Sequence, residues 1–128
     1  MEIDLAQAAR KTKYPMDAFL FVQRGLEYTV RRVHGQAKPG ADTQSRHISG
    51  QALCFGLRDY ALEQYGLLAR VVLRQWHIQG TEDFGQIVFT MIQTGLMAKT
   101  PEDSLRDFDA VYDFNEAFAP KLQLSGNN

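Results

Sequence analysis

The stretch that decides the fold is TEDFGQIVFTMIQT, residues 81–94. Thr81 is a residue type that caps helices, and two carboxylates follow it in the first turn, where they favour the helix dipole. Gly95 ends the stretch, and Leu96 can close back on Met91 as in a Schellman ending. The stretch predicts an amphipathic helix, because apolar residues recur at steps of three and four, namely Phe84, Ile87, Val88, Met91 and Ile92.

Helical spacing also predicts two helices before this stretch. The first runs from about Pro15 to Val33. Gly25 on its second face either lets another backbone approach closely or only weakens the helix. The second helix follows Ser49, which is a good N-cap, and runs to about Tyr65, where Gly66 is a natural stop.

Four further segments complete the prediction along the chain. Residues 67–76 are apolar on nearly every side, which predicts a helix that is buried on more than one face and central to the fold. Residues 3–10 predict a short helix. Residues 35–46 contain two glycines, a proline and no large apolar residue, which predicts a flexible loop. Residues 124–128 are expected to be a disordered tail.

Two interpretations remain open for residues 96–114. In one, Thr100 begins a capped helix whose inner stripe contains Leu105, Phe108 and Tyr112. In the other, which we favour, residues 96–100 and 108–114 form a hairpin, because apolar and acidic residues alternate over much of the second segment. We therefore expect a mainly α, compact helical domain that is winged-helix-turn-helix-like, with a short C-terminal β-hairpin. This outline serves many functions.

Length and composition favour a single domain over residues 1–128, with a folded core over residues 14–118. A chain of 128 residues that is 45% hydrophobic and 23% charged has the size of one domain and can fill a core. The net charge of -1 provides no overall field for nucleic acid or an anionic membrane. Cys54 is the single cysteine, and no signal-like or membrane-spanning apolar run occurs. We therefore predict a cytoplasmic protein without membrane contact.

The charge pattern argues against the function that the winged-helix outline suggests. A DNA-reading helix brings Arg or Lys to phosphates and base edges. The predicted helix over residues 81–94 carries two carboxylates and no cation, so we interpret it as a packing element. The cations lie earlier: up to Gly50 the chain has eight Lys and Arg against five Asp and Glu, and after it six against ten.

A basic rim beside the predicted loop is the first candidate binding site. Such a rim suits an anion or an acidic partner, although cations that complement the end of a helix explain it more simply. Arg58 with Asp59 is a second candidate, and Trp76 is a third, because tryptophan is enriched at binding hot spots. The rim consists of Arg31, Arg32, His34, Lys38, Arg46 and His47.

No motif in the sequence indicates catalysis, and we predict no catalytic residue, no metal and no cofactor. Cys54 within an apolar helix is typical of a core residue and not of a nucleophile. His47, Cys54 and His77 match no compact metal-ligand spacing. The acidic series within residues 103–113 does not match a calcium-binding loop, and we interpret it as a solvated strand face.

Several short segments carry a resemblance to a known family. They are HISGQ (47–51), GLRD (56–59), EQYG (63–66), EDFGQIVF (82–89), DF (107–108) and VYDF (111–114). Through these segments the chain from about Tyr14 to Phe118 resembles an uncharacterised protein family of planctomycetes and verrucomicrobia. That family has no assigned function, so the resemblance implies no activity, cofactor or site residue.

Three functional hypotheses follow from the sequence. The first is a non-catalytic protein-interaction or regulatory module, because the basic first half and the acidic second half favour contacts with another protein or a second copy. The second is nucleic-acid binding through the basic rim from Arg31 to His47, which the overall charge disfavours. The third is an enzyme without a recognisable motif.

Overall fold

The structure, a computed structural model, describes residues 4–35, 48–97 and 104–119. Its α-helices are α1 (Leu5–Arg10), α2 (Met16–His34), α3 (Gly50–Tyr65), α4 (Ala69–Gln75), α5 (Thr81–Gln93) and α6 (Phe114–Ala117). Two 3-10 helices, Gly66–Leu68 and Leu105–Phe108, also occur. The predicted mainly α class is confirmed, and no helix in these ranges is long and apolar enough to cross a bilayer. Apart from Gly35, the predicted loop lies outside the described residues, as does the predicted tail.

Local signals set both ends of α3 and the C-terminal end of α5 as predicted. The Ser49 hydroxyl accepts the backbone N–H three residues further on (3.1 Å) and so caps α3. α3 ends where Gly66 adopts a φ of 53°. After α5, the Leu96 N–H donates to the Met91 carbonyl (2.8 Å), with Gly95 at a φ of 83°. The Leu96 bond satisfies a carbonyl group that the end of a helix leaves without a partner.

Glycines bring α2 and α3 into direct contact. A Cβ on Gly25 would lie 2.2 Å from Leu57, and a Cβ on Gly56 would lie 1.9 Å from the Thr29 hydroxyl oxygen. The later α2 residue thus meets the earlier α3 residue, so the two helices run antiparallel. The close-approach interpretation of Gly25 is therefore confirmed.

α5 buries its apolar face in the core, which agrees with its interpretation as a packing element. The carboxylates of its first turn accept backbone hydrogen bonds: Glu82 from the Ala110 N–H (3.0 Å), and Asp83 from the N–H groups of Gln79 (2.8 Å) and Gly80 (3.1 Å). These acids hold neighbouring segments of the chain. The buried apolar side chains of α5 are Phe84, Ile87, Val88 and Met91.

Thr81 does not cap α5, which corrects the sequence-based interpretation. Gly80 is the N-cap, and Thr81 is the first helical residue and fully buried. The Thr81 hydroxyl donates to the Phe108 carbonyl (2.7 Å) and accepts the Val111 N–H (3.1 Å). Thr81 therefore ties the C-terminal segment, residues 104–119, to the start of α5.

The predicted C-terminal hairpin is wrong. Its second strand is replaced by the end of a 3-10 helix at Phe108, by turns and bends over residues 109–113, and by the start of α6. No strand occurs within residues 4–35, 48–97 and 104–119, so the winged-helix outline loses its wing. Most of the first predicted strand, and the helix start proposed at Thr100, lie outside the described residues.

Tertiary contacts explain why alternation did not produce a strand. The Phe108 ring fits between two helices at glycines: a Cβ on Gly85 would lie 2.8 Å from it, and a Cβ on Gly50 would lie 3.2 Å from it. Ala110 has a φ of 44°, which breaks the extended backbone that a strand requires. Two of the alternating acids act as caps instead: Asp107 accepts the Ser104 N–H (3.2 Å), and Asp113 accepts the Asn115 N–H (2.7 Å) at the start of α6.

The helix predicted to be buried and central is instead peripheral. Residues 66–75 divide into a 3-10 helix and the seven-residue α4. Only Ala69 and Leu73 of α4 are buried, whereas Leu67 and Leu68 of the 3-10 helix are exposed. A helix with two buried residues covers one narrow face, and Leu67, Leu68 and Val71 are left exposed.

We expect Thr81→Val to lower the free energy of unfolding by about 2–3 kcal/mol, because two backbone groups lose their buried partner. Thr81→Ser retains the hydroxyl and should cost about 1 kcal/mol, the contribution of the lost methyl group. Urea denaturation followed by circular dichroism measures both. Equal losses for the two variants would show that the Thr81 hydroxyl does not hold the C-terminal segment.

Candidate functional site

The structure brings some of the predicted site residues together and separates others. Arg31 and His34 are exposed at the end of α2. Arg32 lies beside Arg58 and Asp59, whereas Trp76 lies after α4, at the far end of the α2–α3 pair. Lys38, Arg46 and His47 lie outside the described residues, so the basic rim is seen only in its α2 part.

Arg32, Arg58 and Asp59 form an ion-pair network between α2 and α3. The Arg32 Nη1 atom lies 2.8 Å from Asp59 Oδ2, and the Arg58 Nε atom lies 2.9 Å from Asp59 Oδ1. Burial opposes ionisation of Asp59, but the hydrogen bonds from Arg58 and Arg32 outweigh it and lower the pKa of the carboxyl. The network thus neutralises part of the positive charge that the sequence assigns to the rim.

A groove of about 280 Å³ opens beside this network. Thr29 and Gly56, where the helices touch, line it together with Arg32 and Asp59. Its other lining residues are Val33, Ala52 and Phe55. Val33 and Phe55 are exposed, so the groove combines apolar walls with one charged edge.

A row of aromatic rings links the network to Trp76. Tyr28 accepts a hydrogen bond from Arg32 (3.1 Å) and packs on Tyr60, with ring centroids 5.2 Å apart. Tyr60 in turn contacts Phe21, which also contacts Trp76 at 5.6 Å. Trp76 is half-buried and borders a pocket of about 250 Å³. Trp76 is therefore neither a core residue nor a free side chain.

The most exposed apolar cluster lies on the segment that the sequence predicted to be buried. Leu67, Leu68 and Val71 are 80%, 63% and 47% exposed. Val71 follows Leu67 by four residues and Leu68 by three, and this spacing places the three on one side of the helical segment. We call these three residues the apolar ledge. Scattered exposed apolar residues are ordinary, whereas groups of them are typical of interaction surfaces.

Cations and no carboxylates surround the apolar ledge along the chain. Between Glu63 and Glu82 the sequence contains Arg70, Arg74 and His77 and no acidic residue. The Arg70 guanidinium lies 5.3 Å from the centre of the Phe114 ring. Its Nε and Nη1 atoms are buried and have no hydrogen-bond partner among the described residues.

A polar cleft of about 600 Å³ lies between the segment before α2 and the first part of α5. The Tyr14 hydroxyl donates a hydrogen bond to Asp83, whose Oδ1 atom also lies 3.8 Å from Lys13 Nζ. Burial, followed by the bond to Asp83, raises the pKa of Tyr14. Asp83 is thus occupied by the structural bonds that join the segment before α2 to the start of α5.

Cys54 is a core residue, as predicted, and has the properties of an inert thiol. It is fully buried, and the Tyr112 hydroxyl donates to its carbonyl (2.7 Å). Burial, reinforced by the charge of Glu82, raises the pKa of the Cys54 thiol to about 12. In the part of the chain that the structure describes, no group of three or more His, Cys, Asp or Glu could hold a metal ion.

We expect Cys54 to react with a disulfide reagent such as DTNB on the order of a thousandfold more slowly in the folded protein than in urea, because so little thiolate forms at pH 8. The absorbance of the released thiolate measures both rates. Labelling of the folded protein as fast as of the unfolded chain would show that Cys54 is accessible and ionised.

Sequence reasoning found the ion-pair network in part and missed the apolar ledge. The signal for the ledge was present, because residues 67–76 are apolar on more faces than a short helix can bury. The signal for Tyr28 and Tyr60 was weaker, since tyrosines at helical spacing fit a core equally well. Neither a protein-family model, a curated protein nor a solved structure matches this chain.

Proposed function

We propose that the chain is a non-catalytic protein-interaction module that binds its partner through the apolar ledge. The exposure of Leu67, Leu68 and Val71, at 80%, 63% and 47%, is the observation that supports this most. Apolar surface left in water costs roughly 25 cal/mol per Å², which a partner would recover by covering the ledge. The exposed apolar surface lies on a short peripheral element, where a partner has access to it.

Neighbouring residues add support of a second kind. Tyr65 and Trp76 stand on either side of the ledge in sequence, and their half-buried rings pack edge to face at 6.0 Å. Tryptophan, tyrosine and arginine dominate binding hot spots, because they combine a large apolar area with a polar end. A partner that covers the ledge would find such anchors at its edge.

Site-specific crosslinking tests the proposal. In native cells, p-benzoylphenylalanine replaces Leu67 in one variant and Glu27, an exposed α2 residue, in a matched control. We expect one protein to be crosslinked from position 67 and not from position 27. Val71→Asp in the position-67 variant should remove the adduct. Equal adducts from both positions, or none from position 67, would contradict the proposal.

Nucleic-acid binding through the rim from Arg31 to His47 is the second candidate function. One observation favours it: the guanidinium of Arg32 lies 5.2 Å from the centre of the half-buried Tyr28 ring, and arginine beside an aromatic ring is a combination that stacks on unpaired bases. A gel shift of a single-stranded oligonucleotide at low salt tests it. The shift should disappear when Arg31, Arg32 and Arg46 are replaced by alanine, and no shift of the unaltered protein would refute it.

The cellular location, the family and the possibility of an enzyme are further predictions from the sequence. A cytoplasmic location is consistent with a buried, unpaired Cys54. Membership of the planctomycete and verrucomicrobial family would place this fold in that family without adding a function. An enzyme without a recognisable motif would need a set of convergent titratable groups, and measured turnover of a substrate would be its test.

A further inference from the structure

We infer that the partner segment is an acidic amphipathic helix, which places apolar side chains on the apolar ledge and carboxylates beside Arg70 and Arg74. The inference rests on the proposed function and adds the chemistry of the partner. Three features of the described residues support it: the spacing of the ledge, the charges around it and the hydrogen-bonding state of Arg70.

The spacing of the ledge suits a helical partner. Leu67 and Val71 are four residues apart and Leu68 and Val71 are three apart, across the 3-10 helix and the first turn of α4, so helical spacing places them on one side of this segment as a short ridge. A ridge of this kind packs into the groove between side chains of another helix. An extended strand finds no matching edge, since the backbone of α4 is already hydrogen-bonded within the helix.

The charges around the ledge suit carboxylates. Arg74 and His77 are exposed, and the chain carries no acidic residue between Glu63 and Glu82. Arg74 also stands in the last turn of α4, next to the end of the ridge. Carboxylates that flank the apolar stripe of a partner helix would meet these cations, whereas lysines would be repelled.

Arg70 supplies the third argument. Two of its guanidinium nitrogens, Nε and Nη1, are buried without an acceptor from the part of the chain that the structure describes, and its charge rests against the Phe114 ring. A buried donor without a partner is costly, and arginine pairs best with a carboxylate that can bridge two of its nitrogens. A carboxylate from the partner, placed beside the ridge, would lower this cost after a small rotation of the Arg70 side chain.

A second copy of this chain fits the ledge less well. A two-fold dimer places the same patch of both copies face to face. It would bring Arg74 and His77 of each copy towards the same cations of the other, with no carboxylate from residues 64–81 between them. An anionic membrane would satisfy the charges, but a ridge of three apolar residues offers little surface for insertion.

Peptide display tests the inference on the full chain. The library consists of helix-forming peptides of roughly 18 residues, long enough to be helical when bound, with randomised positions along one face and its flanks. We expect enrichment of peptides with apolar residues at steps of three and four, flanked by Asp and Glu. Affinity for one enriched, fluorescently labelled peptide is then measured by anisotropy.

The variants separate the apolar and charged contributions. Leu68→Asp and Arg74→Glu should each weaken the selected peptide about tenfold or more, as the loss of one good contact does. The exposed residue Gln51 provides the control, since Gln51→Ala should change nothing. A peptide with its acids replaced by lysines should bind Arg74→Glu better than the unaltered chain. Arg70→Gln, checked for folding by circular dichroism, should lower the affinity for the acidic peptide but not the affinity for the peptide with lysines.

Other outcomes would overturn the inference in distinguishable ways. Enriched peptides without acidic flanks, or no enrichment despite crosslinking from position 67, would refute the acidic helix and leave the interaction module standing. A concentration-dependent dimer that Leu68→Asp dissolves would identify a second copy as the occupant. Binding to phosphatidylcholine–phosphatidylserine vesicles that Leu68→Asp abolishes would identify a membrane. Failure of both display and crosslinking would remove the proposed function as well.

Discussion

Replacing Phe108 with alanine will lower the free energy of unfolding by about 3–5 kcal/mol, the range for deleting a buried aromatic ring. Phe108 is 4% exposed, and its ring stands edge-on to Phe89 with centroids 6.3 Å apart. The ring occupies space that Gly50 and Gly85 leave free between α3 and α5. Because helix backbones form these walls, the cavity cannot collapse easily. In urea denaturation, the lower stability should appear as a lower midpoint concentration of urea, with an unchanged dependence of the unfolding free energy on urea concentration.

Two matched variants separate this explanation from the hairpin that the sequence suggested. Leu105 belongs to the same 3-10 helix but is 41% exposed, so Leu105→Ala should change the stability by less than about 0.5 kcal/mol. Ala110→Gly should be harmless, because the φ of 44° at Ala110 suits glycine, whereas glycine inside a strand would weaken it. A Phe108→Ala loss no larger than that of Leu105→Ala would refute the described packing.

The helices were predictable because their signals are local. Ser49 caps α3 through its own turn, and Gly95 ends α5 through the residues next to it. Such bonds depend on neighbours in sequence, which a single chain displays directly. Apolar spacing in α2 and α5 adds to them, since helices of 19 and 13 residues provide several turns over which a stripe can be recognised.

Two parts of the fold escaped prediction because distant residues determine them. Residues 108–114 alternate like a strand, but Thr81 and two glycines of other elements hold Phe108 in a different backbone conformation. For α4, the apolar composition of residues 67–76 predicted burial. Composition alone cannot show that the core, filled by α5 and the C-terminal segment, leaves only Ala69 and Leu73 of α4 inside.

The candidate site shows the same division. Arg58 and Asp59 were recognisable because adjacent opposite charges stand out in an apolar helix, and the structure adds Arg32 to them. The apolar ledge was missed because the apolar excess of residues 67–76 was interpreted by a rule that places apolar residues inside. Roughly half or more of any protein surface is apolar, so exposure becomes informative only once the structure shows adjacent side chains without cover.

Gly56→Ala will destabilise the protein by about 2 kcal/mol, although alanine is the better helix former by about 1 kcal/mol. The new Cβ would lie 1.9, 2.7 and 2.8 Å from the three side-chain heavy atoms of Thr29. No rotation of Thr29 removes the overlap, because its own Cβ is one of the three atoms. α2 and α3 must therefore separate where Thr29 is buried, and overpacking outweighs the gain in helix propensity.

A double-mutant cycle with Thr29→Ala tests this contact. Thr29→Ala alone should cost about 1 kcal/mol, because the hydroxyl that donates to the Gly25 carbonyl (2.7 Å) is lost. In the double variant only the Thr29 Cβ, 2.8 Å away, remains in the way, so its loss should be smaller than the sum of the single losses. Additive losses would mean that the helices do not touch at these residues. Because the same contact lines the groove beside Arg32 and Asp59, additivity would also remove the basis for that groove.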